Sequence, residues 1–329
     1  MPPKAIHLFP EVRGMAFEMP KVNYTGKIRE ITIGVGEKSV TVGGESCYPF
    51  HLFEGEMPNP PKIAMEVWDH VNPDEWSPAA LEPFKEVIND PAAWAQKCVE
   101  EHKADMIAVQ LVSTDPNGLD RGADEAVETV RKVADAVEVP LIVWGCADED
   151  KDTEVLRPVA EACEGMRIAL GPVQEKNYRQ LGATCIAYKH IAIASTPIDI
   201  NLAKQLNILL GDLGVPDDQL LIDPTVGGLG YGIEYAYSVM ERMKIAALSQ
   251  QDEKLAFPII CNMGREVWKV KEAKLSQDEA PTLGDLKKRG VLMEAITAKM
   301  LLLAGADILI MRHPDAVDLT RQMIQELTR

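Results

Sequence analysis

Side chains that could hydrogen-bond a ligand follow several short apolar runs in this sequence. The runs continue into "QLVSTDPNG", "LLIDPTVGG", "IICNM" and "ILIMRH". Carboxylates, amides and hydroxyls at such positions match the donors and acceptors of a polar cofactor, or of a flat heterocycle bound edge-on. The candidate binding residues are Ser113, Thr114, Asp115, Asn117, Asp223, Thr225, Gly227, Gly228, Asn262 and Arg312.

Four glycines lie close together in the stretch "DPTVGGLGYGIEY", which begins at Asp223. No register of these glycines gives GxGxxG, so the stretch is not the dinucleotide fingerprint. Two interpretations remain open. The glycines form either a tight turn between a strand and the next helix, or a surface without side chains that a bulky flat ligand can approach closely.

Residue types that hold metals or act as nucleophiles show no such pattern. The sequence has no HExxH, no HxH and no GxSxG, and its six cysteines include no CxxC pair. We therefore predict no metal site and no iron–sulfur cluster in this chain, and we interpret the cysteines as small buried apolar residues. His190 and His313 could face each other across a site, but each is more simply satisfied by a neighbouring carbonyl or carboxylate.

Lys189, in "ATCIAYKHI", is a third kind of candidate. A lysine at the end of a barrel strand can form a Schiff base with a carbonyl substrate, as in an aldolase. The more ordinary interpretation, which we favour, is an ion pair with Asp223 or Glu66.

Eight short apolar runs alternate with amphipathic stretches and are the elements that must position these residues. Their continuous apolar character is typical of parallel strands buried on both faces. The repeated strand–helix order predicts a (β/α)8 barrel, whose site lies at the carboxyl ends of the strands. An open doubly wound sheet is the alternative. The predicted strands begin at Lys62, Asp105, Pro140, Arg167, Ala183, Gln219, Phe257 and Ala306.

The first sixty residues differ from the rest, so we predict an amino-terminal arm over 1–60 and the barrel over 61–329. "KIREITIGVGEKSVTVGGE" has the alternation of a β-hairpin. The hairpin could either cap the bottom of the barrel or contact a partner. "GEKS" lacks the spacing of a phosphate-binding loop.

Composition narrows the class of protein. The chain has 329 residues and a formal net charge of −17, which disfavours binding to nucleic acid or to an anionic membrane. Its apolar runs are too short to span a membrane, and "MPPKAIHLFPEV" lacks the apolar core of a signal peptide. We expect a cytoplasmic protein.

Several long strings resemble one known family. "DPTVGGLGYGIEYAYSVMER", "KIAMEVWDHVNPDEW", "QLVSTDPNG", "PLIVWGC", "GPVQEKNYRQL" and "CYPFHLFEGEMPNPP" are similar to the small subunit of the corrinoid iron–sulfur protein of the acetyl-CoA (Wood–Ljungdahl) pathway. The related chains are the delta subunits of acetyl-CoA decarbonylase/synthase complexes. The resemblance covers essentially the whole chain.

The resemblance implies a (β/α)8 barrel that forms a heterodimer with a larger subunit. The larger subunit would hold the [4Fe–4S] cluster and most of the corrinoid, and this barrel's mouth would cover the cobalamin. A separate methyltransferase would supply the methyl group from methyltetrahydrofolate, and acetyl-CoA synthase/CO dehydrogenase would receive it. The resemblance implies cofactor contacts for the candidate residues but no catalytic residue, and we do not expect catalysis by this chain alone.

A second function fits the same residues. Asp115, Asp223 and Asn262 could read the edge of a pterin, which would make the chain a stand-alone pterin-dependent methyltransferase.

Overall fold

The computed structural model describes residues 18–329, and its centre is a closed barrel of eight parallel strands. An antiparallel hairpin of two strands, β1 and β2, precedes the barrel. The predicted (β/α)8 barrel is confirmed. The strands are β1 Glu30–Val35, β2 Lys38–Gly43, β3 Lys62–Trp68, β4 Met106–Gln110, β5 Leu141–Trp144, β6 Ala169–Val173, β7 Ile191–Ser195, β8 Leu220–Asp223, β9 Ile259–Asn262 and β10 Ala306–Met311.

Helices cover the outside of the barrel, and the ends of several are set by the capping residues that the sequence provides. Asp90 accepts hydrogen bonds from the first amides of α2, and Gly214 ends α6 in the left-handed conformation. The helices are α1 Pro78–Leu81, α2 Pro91–Glu100, α3 Ala123–Ala136, α4 Glu149–Ala162, α5 Tyr178–Tyr188, α6 Ile200–Leu213, α7 Ile233–Gln250, α8 Gly264–Lys269, α9 Leu286–Ala304 and α10 Pro314–Leu327.

The fifth predicted barrel strand is wrong. Most of the run that begins at Ala183 belongs to helix α5, and the strand is the next run, Ile191–Ser195. Lys189 adopts the left-handed conformation (φ 58°) at the end of that helix. Both runs are short and apolar, so periodicity alone did not separate helix from strand.

The hairpin closes the bottom of the barrel. Ile31, Ile33 and Val42 pack into the inner core with barrel residues such as Ile142 and Ile308. Backbone hydrogen bonds run from Gly34 and Arg29 to the carbonyls of Arg167 and Ala256, which precede strands β6 and β9. The amino ends of the strands are therefore covered, and the carboxyl ends form the open mouth.

A buried ion cluster joins the segment after the hairpin to the barrel. Lys244 Nζ lies 2.7 Å from Asp307 Oδ2 and 3.5 Å from Glu45 Oε1, and all three side chains are buried. Asp307 also accepts a hydrogen bond of 2.6 Å from the Ile259 amide. Because Glu45 follows β2, this cluster holds the hairpin against strands β9 and β10.

The boundary predicted at residue 60 between arm and barrel stays a prediction, and residues 1–17 of the predicted arm lie outside the described part of the chain. No helix among residues 18–329 is both long and apolar enough to cross a membrane.

Candidate functional site

Two cavities open at the mouth of the barrel, and Arg265 of α8 lines both of them. The larger, which we call the tryptophan cavity, has a volume of about 410 Å³ and lies beside Trp68, Trp76 and Trp268. The smaller, the glycine-loop cavity, has a volume of about 230 Å³ and lies over strands β5 to β9. The predicted residues Ser113, Asp115 and Arg312 line the first, and the predicted residues Asp223, Thr225, Gly227 and Asn262 line the second.

Arg312 is fixed at the floor of the tryptophan cavity. Its Nε donates a hydrogen bond to Glu66 Oε1, and its guanidinium carbon lies 3.8 Å from the ring centroid of Trp76 and 4.8 Å from that of Trp68. Trp68 donates a hydrogen bond of 3.0 Å to the other oxygen of Glu66. The side chain is buried, yet Arg312 Nη2 has no hydrogen-bond partner among the described residues.

Glu294, on helix α9, holds residues that line the tryptophan cavity in position. Its carboxylate accepts hydrogen bonds from the amides of Arg312 (2.5 Å) and His313 (3.1 Å) and from Trp268 Nε1 (2.7 Å). Burial raises the pKa of Glu294 to about 7, since three donors only partly compensate for the lost hydration. Glu294 therefore positions both the arginine and one tryptophan of the cavity.

Ser113 and Thr114 make internal hydrogen bonds. Asp69 accepts hydrogen bonds from the Ser113 hydroxyl (2.5 Å) and the Ser113 amide (3.0 Å), and burial raises the pKa of Asp69. The Thr114 hydroxyl donates to the Leu111 carbonyl at 2.7 Å. Both side chains are buried, so they shape the loop after β4 rather than face solvent.

Asp115 and Asn117 form a turn at the rim of the mouth. Asp115 Oδ1 accepts hydrogen bonds from the Asn117 amide (2.8 Å) and side chain (3.2 Å). Such a turn fixes the loop locally and leaves the second carboxylate oxygen of Asp115 available.

Asp223 is a buried carboxyl in the glycine-loop cavity. It accepts hydrogen bonds from the Ser195 hydroxyl (2.5 Å) and the Thr225 amide (3.0 Å). Burial raises the pKa of Asp223 to about 6, and these two hydrogen bonds oppose the shift. Thr225 adopts the left-handed conformation (φ 55°), which turns the chain sharply after strand β8.

Asn262 is paired across the top of the barrel. Gln110 Nε2 donates to Asn262 Oδ1 at 3.1 Å, and Asn262 Nδ2 donates back to Gln110 Oε1 at 3.3 Å. Strands β4 and β9 are not neighbours in the barrel. The reciprocal amide pair therefore ties two separated strands together, and it uses part of the hydrogen-bonding capacity of Asn262.

The glycine loop combines a strained turn with an open surface. Gly230 and Gly232 have φ values of 87° and 148°, where other residues are disfavoured. A Cβ on Gly228 would lie 3.0 Å from the Gly232 carbonyl oxygen, whereas a Cβ on Gly227 would meet nothing within 4 Å. Both interpretations of the stretch therefore have a place in it: its later glycines make the turn, and Gly227 leaves open space. Tyr231, between them, is 95% exposed.

Two proposals from the sequence do not survive this geometry. Lys189 and His190 come just before strand β7 and so lie at the bottom of the barrel, away from the mouth. His190 is buried against the Ala160 carbonyl (2.8 Å), and His313 accepts from the Asp315 amide at 3.1 Å. The two histidines therefore do not pair, and the interpretation of Lys189 as a Schiff-base residue, or as an ion-pair partner of Asp223 or Glu66, is wrong.

The arrangement is suited to polar recognition. Within residues 18–329, no group of three or more His, Cys, Asp or Glu side chains could hold a metal ion. All six cysteines are free thiols. Burial raises the pKa of Cys146, the cysteine beside the tryptophan cavity, to about 11, so it is not an activated nucleophile.

A family model described as the CO dehydrogenase/acetyl-CoA synthase delta subunit matches residues 30–325. The chain belongs to this family. The match includes the hairpin and every strand of the barrel, so it extends over both parts of the described fold.

Relatives of known name agree with this assignment. Subunit delta of the acetyl-CoA decarbonylase/synthase complex of Archaeoglobus fulgidus is 36% identical over 325 residues, which cover 94% of this chain and 71% of the relative. Subunit delta 1 of the same complex from Methanosarcina thermophila is 37% identical over 319 residues, covering 92% of this chain and 71% of the relative.

Solved structures of similar shape include dihydropteroate synthases. One from Xanthomonas albilineans, in complex with indole-2-carboxylic acid and 6-chloroguanine, has a TM-score of 0.58 and covers 91% of this chain and 97% of its own. One from Coxiella burnetii, in complex with pteroic acid, has a TM-score of 0.56 and covers 91% and 98%. Both are 13% identical to this chain, so the likeness is one of fold alone.

Several residues of the site were not among the predicted ones, including Gln174, Trp76, Trp268, Ser195, Arg265 and Glu294. Ser195 belongs to the strand that the sequence interpretation misplaced, and Arg265 lies in the short helix α8, which follows β9 directly. Glu294 comes from the middle of helix α9, where a buried carboxylate has no local sequence signal. Only the position of Arg265, three residues after Asn262, could have drawn attention to it.

Proposed function

We propose that this chain is the small subunit of a cytoplasmic, heterodimeric corrinoid iron–sulfur methyl carrier. A separate methyltransferase transfers the methyl group from methyltetrahydrofolate to the carrier, which delivers it to acetyl-CoA synthase/CO dehydrogenase. The larger subunit holds the [4Fe–4S] cluster and most of the corrinoid, and the mouth of this barrel covers it. Membership of the delta-subunit family is the observation that carries the proposal.

The chemistry of the mouth fits a corrinoid whose peripheral arms end in amides. Gln174 Oε1 is buried beside the glycine-loop cavity without a hydrogen-bond partner, so it can accept from an amide N–H. Thr225 and Asp223 line the same cavity. Gly227 adds backbone without a side chain, onto which a flat ring system can pack.

The proposed division of labour leaves redox chemistry and methyl exchange to the corrinoid. This chain's own residues bind and orient. The Asp223–Ser195 and Gln110–Asn262 pairs hold the strand ends at fixed separation, and the closed hairpin end leaves the mouth as the open end of the barrel. A rigid polar surface of this kind excludes water and positions a bound group without proton transfer.

Co-expression with the larger subunit tests the proposal. We expect a one-to-one complex with bound corrinoid, visible in its absorption spectrum, that oxidises more slowly in air than the larger subunit with corrinoid alone. If the larger subunit alone binds and protects the corrinoid equally well, the proposed covering role is wrong.

A substitution at Gly227 then separates the open surface from the turn. Gly227→Val should leave the thermal unfolding of the isolated chain unchanged, because its Cβ position is free of neighbours, and should lower corrinoid retention in the complex. Gly228→Val is a poorer test because its Cβ would be crowded by the Gly232 carbonyl. Unchanged corrinoid retention in Gly227→Val would show that the loop does not approach the cofactor.

A stand-alone pterin-dependent methyltransferase is the second candidate. Asp223 and Asn262 line one cavity, and both offer acceptors to the amino and imino groups of a pterin. Calorimetry of the isolated chain with methyltetrahydrofolate tests this candidate, and the absence of binding removes it.

A further inference from the structure

The tryptophan cavity concentrates positive charge in an acidic protein. The chain has a formal net charge of −17. The walls of this cavity nevertheless hold twice as many basic side chains as acidic ones. The basic residues are Arg265, Lys269, Lys274 and Arg312, and the acidic residues are Glu75 and Asp115. A cavity of this charge and partly enclosed shape attracts anions more strongly than the surrounding surface does.

Arg312 supplies the most specific feature of the cavity. The guanidinium carries only donors, so a buried N–H group without an acceptor costs free energy. Glu66 and the two stacked tryptophans fix the guanidinium, but Nη2 has no acceptor within the described part of the chain. Nη2 is closed to solvent in this structure, so an oxygen anion bound in the cavity would supply the missing acceptor, in a charge-assisted hydrogen bond, after a small shift of the side chains that cover it.

Two further cations at the cavity form no ion pair within residues 18–329. Neither Arg265 nor Lys274 forms an ion pair with another residue of the range 18–329, whereas Lys269 lies 3.6 Å from Glu266. Arg265 stacks at 5.9 Å over the ring of Trp68. Arg265 and Lys274 are therefore available to a ligand whose anionic end lies near Arg312.

Part of the remaining wall of the cavity is apolar, although His70, Asn72 and Ser113 also line it. Val112, Leu119 and Trp268 line it, and its volume of about 410 Å³ exceeds what a bare inorganic anion fills. Pockets for small organic molecules combine such apolar walls with a few polar groups that fix orientation.

We propose that the tryptophan cavity binds a small organic oxyanion, a carboxylate or a phosphate monoester with an apolar body, whose charged end contacts Arg312, Arg265 and Lys274. The site lies beside the glycine-loop cavity at the mouth, since Arg265 lines both cavities. The inference does not rest on the corrinoid proposal, since it concerns binding by this chain alone.

Calorimetry with the full chain and four matched probes tests the site. Benzoate and its neutral analogue benzamide differ in charge, and phenyl phosphate and inorganic phosphate differ in the apolar body. We expect saturable binding of benzoate or phenyl phosphate at least tenfold tighter than that of its matched control. The stronger of the two aryl anions identifies the preferred oxyanion. The proposal would be overturned if neither aryl anion bound saturably, or if the aryl anion that binds more tightly did so no better than its own matched control.

Substitutions on the outer wall locate the binding without disturbing the core. Arg265→Gln and Lys274→Gln should each weaken the preferred aryl anion about tenfold. Lys271→Gln removes the same charge from the same segment but does not line the cavity, so it should leave binding unchanged. Equal effects of all three substitutions would indicate a diffuse field instead of a site, and no effect of Arg265→Gln and Lys274→Gln would place the ligand elsewhere.

The outcome is separable from that of the proposed function. A chain that binds the aryl anion but forms no corrinoid complex retains this inference and loses the methyl-carrier proposal. A chain that forms the complex but binds none of the probes retains the methyl-carrier proposal and loses this inference.

Discussion

Substituting Lys244 tests whether the buried ion cluster holds the hairpin onto the barrel. Lys244→Met keeps most of the apolar stem but removes the charge that faces Asp307 at 2.7 Å and Glu45 at 3.5 Å. The lysine side chain is only 2% exposed, so water cannot replace the lost partner. Lys244→Met should therefore lower the free energy of unfolding by about 3–5 kcal/mol, because it leaves buried carboxylates without their cation.

The chain offers a matched control for this substitution. Lys204 Nζ lies 2.6 Å from Asp252 Oδ2, nearly the same distance, but the lysine side chain is 44% exposed. Exposed ion pairs contribute less than about 1 kcal/mol, because water and salt screen them. Lys204→Met should therefore lower the free energy of unfolding by no more than that amount.

A double substitution separates charge from packing. The double variant, Lys244→Met with Asp307→Asn, removes one of the two unpaired carboxylates. The amide oxygen of the substituted side chain at position 307 can still accept a hydrogen bond from the Ile259 amide. We expect the double variant to recover part of the loss. Urea unfolding measures the free energy of unfolding of the original chain, the two single variants and the double variant. Circular dichroism and tryptophan fluorescence should report the same transition for each protein. Equal losses in Lys244→Met and Lys204→Met, or no recovery in the double variant, would refute the role given to the cluster.

Two further substitutions test the mouth. Burial raises the pKa of Asp223 to about 6, so the folded state binds the proton more tightly than the unfolded state does. The protonated carboxyl therefore stabilises the fold below about pH 4, and this stabilisation is lost as the pH rises through 6. Asp223→Asn should raise the free energy of unfolding at pH 7 by about 2–3 kcal/mol and flatten its pH dependence between pH 4 and 6. Gly290→Ala would place a Cβ 2.3 Å from the Trp268 ring, so it should destabilise by about 1–3 kcal/mol despite the better helix propensity of alanine.

For each of these two substitutions, one result would contradict the prediction. An unchanged slope of stability against pH in Asp223→Asn would mean that the carboxyl is not desolvated. A Gly290→Ala protein as stable as the original, with unchanged tryptophan fluorescence, would mean that Trp268 does not pack against α9 as described.

The barrel was predictable because its strands carry a strong signal. Parallel strands buried on both faces are short continuous apolar runs, and polar residues such as Asp223 and Asn262 at their carboxyl ends converge on one mouth. The fifth strand failed because "ATCIAY" in helix α5 and "IAIAS" in β7 are neighbouring apolar runs of similar length. That error carried Lys189 to the wrong end of the barrel and hid Ser195.

The partners within the site were not predictable from local pattern. Glu66 and Arg312 are 246 positions apart in the sequence, and Gln110 and Asn262 are 152 apart, yet each pair is hydrogen-bonded. Such pairs depend on the closure of the barrel, which brings the ends of strands that are distant in sequence to one mouth. Arg312 was predicted at the mouth, but no local pattern indicated that Trp68 and Trp76 stack on it.

The visible absorption spectrum of the complex with the larger subunit tests the central claim most directly. We predict a corrinoid spectrum at one equivalent per heterodimer, with slowed oxidation in air, and a weaker retained signal when this chain carries Gly227→Val. A complex that forms without corrinoid, or a corrinoid signal that is the same with and without this chain, would contradict the account.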